Sequence, residues 1–128
     1  MTNKPTERKI IPLAPGEEAT VFGTTGRVNL RRWHTRDVDF RIEIGVGTRL
    51  LYFVVNQGNI SELTRALAKK AVGDKKQFTS HRALADITQV GDRVSSVLVC
   101  DMEIPGSGVE VILDQDQIEE IKTRLRIK

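Results

Sequence analysis

At 128 residues, with 39% hydrophobic and 29% charged side chains, the chain is long enough for one compact domain and too apolar for a disordered tail. Its net charge of +3 is only a weak lean toward anionic partners, and no apolar run approaches the roughly 18 to 20 residues of a membrane span. A single cysteine, Cys100, rules out an internal disulfide and fits a cytoplasmic or other reducing intracellular compartment.

Residues 1–9 are polar and lack the apolar stretch of a secretory signal, so they read as a tail ahead of one domain over 10–128. A weak strand is expected over 18–22, closed by the turn Gly23-Thr24-Thr25-Gly26. Strands follow over 27–34 and 38–44, then a turn at Gly45-Val46-Gly47, where glycine tolerates positive φ. A strong strand covers 49–55. The spacing of Ile60, Leu63, Leu67 and Ala71 predicts a helix over 57–72, capped by Asn56 or Asn59 and stopped by Gly73. Residues 78–90 read as extended, and a long strand is expected over 93–104. Pro105-Gly106-Ser107-Gly108 turns the chain into a strand over 109–113. Asp114 then caps a last helix, with Gln117 set for a capping box, Leu113 and Ile118 for a hydrophobic staple, and Ile118, Ile121 and Leu125 as the buried stripe.

The chain repeats itself. Val54 through Leu67 aligns without a gap on Ile112 through Leu125, 58 positions on, with Gln57, Ile60, Glu62 and Leu67 meeting identical residues. The same offset carries Phe40, Ile42, Ile44 and Val46 onto Leu98, Cys100, Met102 and Ile104, which makes Cys100 an inward-facing core residue like Ile42. The expected fold is α+β: two β-β-β-β-α halves, about 12–72 and 73–128, with antiparallel sheets packed against two amphipathic helices.

Alternation assigns faces. Val28, Leu30, Phe40, Ile42, Ile44, Leu51, Phe53 and Val55 fall on the core side, which leaves Arg31, Trp33, Arg41 and Tyr52 on the outer side. Arginines interleaved with flat aromatics suit single-stranded nucleic acid, since bases stack on rings while guanidinium groups hold phosphates. The run from Arg27 to Arg36, which includes Arg31 and Arg32, holds no acid, and Lys69, Lys70, Lys75 and Lys76 form a second basic cluster. Against this, aromatics in strands often pack structurally, edge strands carry charge to resist aggregation, and lysines gather at helix ends on electrostatic grounds alone.

The segment Val109-Glu110-Val111-Ile112-Leu113-Asp114-Gln115-Asp116-Gln117-Ile118-Glu119-Glu120-Ile121 resembles the strand, acidic cap and helix that close a positive-cofactor-four coactivator domain. The four-strands-then-helix unit, taken twice, is similar to that of the Whirly and Pur-repeat proteins. The resemblance implies binding of single-stranded DNA or RNA across open sheet faces, in a transcription- or replication-associated role.

No catalytic constellation emerges. His34 and His81 lack cysteine partners for zinc, Asp114 and Asp116 are accounted for by capping, and Gly106-Ser107-Gly108 has neither the length nor the lysine of a phosphate loop. Neither an enzyme nor a cofactor or metal site is expected. Two readings stay open: a single-stranded nucleic-acid-binding protein able to form homo-oligomers, and a non-catalytic assembly or regulatory subunit, such as one of a virus or mobile element, whose sheet face binds protein.

Overall fold

The computed structural model describes residues 9–34 and 39–126, which form eight strands and two helices. The first half comprises β1 (Glu18–Phe22), β2 (Arg27–Arg32), β3 (Asp39–Val46), β4 (Arg49–Asn56) and α1 (Ile60–Ala66). The second comprises β5 (Lys75–Ser80), β6 (Ala83–Gly91), β7 (Val94–Asp101), β8 (Val109–Asp114) and α2 (Gln115–Arg124). Each half is an antiparallel meander of four strands in sequence order, followed by a helix. The α+β class with two β-β-β-β-α halves is therefore the observed architecture.

Pairing fixes how the halves correspond. Val21 is matched by Phe78 and Leu30 by Ile87, each 57 positions on, Ile42 by Val97, 55 on, and Phe53 by Val111, 58 on. All eight of these side chains are buried. The drop from 58 to 55 arises in one hairpin. Gly47 and Thr48 alone join β3 to β4, where Val46 pairs with Arg49, whereas the equivalent positions Asp101 and Ser107 are separated by residues 102–106.

Three extra residues is an odd number, and an odd slip turns every side chain to the opposite face. The expected match of Phe40, Ile42 and Ile44 to Leu98, Cys100 and Met102 is thereby corrected. Ser95, Val97 and Val99 are the buried counterparts, while Leu98 is exposed and Cys100 is half-buried on the outer parity, opposite Leu84.

Local chemistry sets the ends of the helices. At α2 the capping box forms as expected: Asp114 Oδ1 accepts from the Gln117 N–H at 2.8 Å and Gln117 Oε1 accepts from the Asp114 N–H at 2.8 Å. At α1 the Asn56 side chain accepts from the Gly58 and Asn59 N–H groups, while Asn59 Oδ1 accepts from the Asn56 N–H, so the pair shapes the turn before the helix. This helix is shorter than its apolar spacing predicts, and Ala71 is exposed. The Gly73 N–H already donates to Gln89 and the Gln89 N–H to Asp74, so pairing with the β6 strand begins there and draws the chain out of the helix. The turn expected at Gly45 likewise lies further on, at Gly47 with φ +61°, and Gly45 belongs to β3.

The two halves share one core, in which Phe53 and Phe78 meet with ring centroids 5.8 Å apart. Each helix also packs on the first strand of the other half, α2 on β1 and α1 on β5. Two related junctions tie the halves together. On one side the Thr24 N–H donates to the Ile112 carbonyl at 2.8 Å, and the Ile112 N–H donates to Thr25 Oγ1 at 3.2 Å, an antiparallel bridge that covers the β8 edge. On the other, the Ser80 hydroxyl donates to the carbonyl of Val54, the counterpart of Ile112.

Gly23 makes the first junction feasible, because a Cβ there would stand 2.5 Å from the Ile112 oxygen. Gly23→Ala should therefore cost about 1 to 3 kcal/mol through forced displacement, and Leu125→Ala, which empties a buried site, about 2 to 5 kcal/mol. Both are read by urea unfolding. A cost below about half a kcal/mol for either, the range of surface substitutions, would show that the junction or the last helix is not docked as described.

Candidate nucleic-acid interface and the adjoining cleft

The outer face of the first sheet is built by register. Across β1 to β4 the neighbours run Glu18, Arg31, Arg41, Val54 in one row and Thr20, Asn29, Glu43, Tyr52 in the next. Trp33 follows the end of β2, where its N–H donates to the Asp39 carbonyl, and it is half-buried. Register places Arg31, Arg41 and Tyr52 on one face of the sheet.

Arg41 and Tyr52 interact directly. The guanidinium carbon of Arg41 lies 4.1 Å from the centroid of the Tyr52 ring, a cation–π stack, and the ring stays 54% exposed. Arg41 Nε also approaches Glu43 Oε1 to 3.2 Å. That approach is misaligned for a hydrogen bond, and Nε is buried without one among the described residues. Stacking therefore orients the guanidinium more than the carboxylate does.

The remaining basic residues separate. Arg27 is half-buried across Gly45, where a Cβ would meet its guanidinium carbon at 2.9 Å, and it reaches the Gly47 carbonyl at 3.4 Å. Arg32 points inward at the end of the sheet and donates to the Leu13 carbonyl at 2.9 Å. Both serve the fold. Arg36 lies outside the described residues. Lys70 donates to the Ala66 and Ala68 carbonyls at the end of α1, and burial, with Lys76 nearby, lowers its pKa. Lys69 stands 3.8 Å from Asp92, and Lys75 and Lys76 are exposed at the start of β5. That start lies about 16 Å along the strand from Ser80, so the lysines are set apart from the end of β5 that meets β4.

Folding also changes the charge pattern. The acid-free run from Arg27 to Arg36 acquires acids from the strands beside it, Glu18 opposite Arg31 and Glu43 next to Arg41. The second sheet carries no equivalent of the stack. Thr88, Ser96 and Glu110 occupy the places of Arg31, Arg41 and Tyr52, and Ser96 Oγ donates to Glu110 Oε2 at 2.6 Å. The aromatic, arginine-bearing face belongs to the first half alone.

Beside this face, sequence reasoning missed a cleft of about 430 Å³, lined by Leu50 through Val54, Ser80 through Ala83, and Val99 through Asp101. The outer parity of Cys100 was the available signal, hidden by the three extra hairpin residues. Arg82 closes one side, donating to Asp101 Oδ2 at 2.9 Å and standing 3.4 Å from Glu103. The hydrogen bond to Asp101 raises the Arg82 pKa further. The Glu103 N–H, donating to Asp101 at 2.9 Å, holds that carboxyl below the usual aspartate range, and Arg82 adds to the effect against desolvation. Among the described residues no group of histidine, cysteine and acidic side chains could hold a metal ion, and no helix is long and apolar enough to cross a membrane.

Comparison with protein-family models, with curated proteins and with solved structures finds no match to this chain.

The contribution of Asp101 is complete at neutral pH and fades as pH falls through its lowered pKa. In a carboxyl-resolved NMR titration Asp101 should titrate below the ordinary aspartate value. Arg82→Ala should move it only part of the way back, since the Glu103 N–H remains. An ordinary value in the wild type, or full restoration in the variant, would contradict this geometry.

Proposed function

We propose that this protein is a non-catalytic single-stranded nucleic-acid-binding protein, and that the strand crosses the outer face of the first sheet. The observation that carries the reading is the Arg41–Tyr52 stack: an exposed ring backed by a guanidinium, with Arg31 next to Arg41 in register. A base laid on Tyr52 gains stacking energy whatever its identity, and Arg31 and Arg41 supply charge for the flanking phosphates. The resemblance of the strand–cap–helix segment to positive-cofactor-four domains supports the same reading. The interleaved acids make recognition depend on stacking more than on net charge.

A second reading rests on a different observation. Phe22 is 69% exposed and Leu50 46% exposed, at the two ends of one cross-strand row on the same face, and apolar exposure of this kind suits a protein partner. In that case the chain is an assembly or regulatory subunit.

Titration of the single tryptophan, Trp33, with oligothymidylate at several salt concentrations separates the two. Tyr52→Ala should weaken binding by about 1 to 3 kcal/mol with little dependence on sequence. Arg31→Ala should flatten the salt dependence by roughly 0.7 in log–log slope. Undetectable binding at low salt, or a Tyr52→Ala variant that binds unchanged, would leave the protein-binding reading as the better account.

A further inference from the structure

The two junctions between the halves are equivalent in position but not in closure. β8 and β4 are the last strands of their sheets and each forms one edge, and their counterpart residues Ile112 and Val54 both turn their carbonyls outward. At β8 the Thr24 N–H and the Thr25 hydroxyl bond Ile112 in an antiparallel bridge. At β4 the Ser80 hydroxyl is, among the described residues, the one group that bonds Val54 from the other half, and the turn formed by His81 and Arg82 stands off, leaving the 430 Å³ cleft.

The pairing pattern shows what the open edge offers. The Trp33 N–H bonds Asp39, so alternation gives Phe40, Ile42 and Ile44 to the ladder with β4, and their partners there are Val55, Phe53 and Leu51. The N–H and C=O groups of Leu50 and Tyr52 point away from the sheet, along the cleft. Among the described residues no group bonds them. From Leu50 to Val54 the strand runs about 13 Å, the length of four extended residues.

We propose that the β4 edge is a binding site for an extended peptide, which adds to the first sheet as a fifth strand antiparallel to β4. Peptide backbone is the occupant because a backbone N–H, that of Thr24 in an antiparallel bridge, is what covers the equivalent β8 edge. Backbone pairing to Leu50 and Tyr52 supplies affinity, and the lining by Leu50, Val54, Ala83 and Val99 favours small apolar side chains at alternate positions of the peptide. The site does not rest on the nucleic-acid reading, because it uses the backbone of Tyr52 rather than its ring.

Cys100 lines the cleft and is the chain's single cysteine, which makes it a reporter. A phage-displayed library of random heptapeptides is selected on the full chain, and the enriched peptides are synthesised. Bound peptide should slow alkylation of native Cys100. A bulky maleimide on Cys100 should abolish binding, while in Cys100→Ser the same treatment should leave the variant's own peptide affinity where it stood before the reagent. N-methylation at alternate peptide positions should weaken binding about tenfold, the loss of one hydrogen bond, and methylation at intervening positions should not. The proposal is overturned if no peptide is enriched, if native Cys100 does not react, if methylation shows no alternation, or if oligothymidylate rather than peptide protects Cys100.

Discussion

The carbonyl of Ile112, taken by the Thr24 N–H at 2.8 Å, joins two sheets that would otherwise present separate edges. Around it the first half's opening turn is pressed so closely against β8 that only glycine fits at position 23. Once that contact is made, α2 can rest on β1, and the apolar sides of both sheets close over one core. Ser80 and Val54 repeat the arrangement with a side-chain hydroxyl in place of a backbone N–H. An edge strand with its polar groups unpaired invites pairing, so what covers each edge determines much of the molecule's surface chemistry.

The functional asymmetry follows from how the two copies diverge. In the first, a two-residue hairpin keeps β4 in register with a stack of Arg41 on Tyr52. In the second, Ser96 and Glu110 fill those places and bond one another, so that face is settled internally. The longer hairpin of the second copy carries Glu103, beside Asp101, to Arg82, whose own turn, Ser80 through Ala83, lines the cleft at β4. One half therefore shows an aromatic cationic surface, and the other supplies the loop that borders it.

Much of this was legible in the chain. Asp114 and Gln117, with Ile118 and Ile121 behind them, give α2 by local chemistry alone, and the alternation in 38–55 places Tyr52 outside and Phe53 inside. Other features needed the third dimension. Cys100 looked like the partner of Ile42 because apolar alternation is equally good at either parity in Leu98, Cys100 and Met102, and only the paired strand shows which residues are buried. The acid-free run around Arg31 was real along the chain but not across the sheet, where Glu18 and Glu43 stand beside it. Arg27 and Arg32 carry nothing in their sequence context to say that their guanidinium groups cap carbonyls of Gly47 and Leu13.

Amide hydrogen exchange measures the difference between the two edges residue by residue. The Ile112 N–H, bonded by Thr25, and the Phe53 N–H, inside the ladder, should exchange slowly, while the Tyr52 N–H on the uncovered β4 edge should exchange near the rate of an unprotected amide. A Tyr52 amide protected as strongly as that of Ile112 would mean that the β4 edge is covered in the free protein, and would contradict the account.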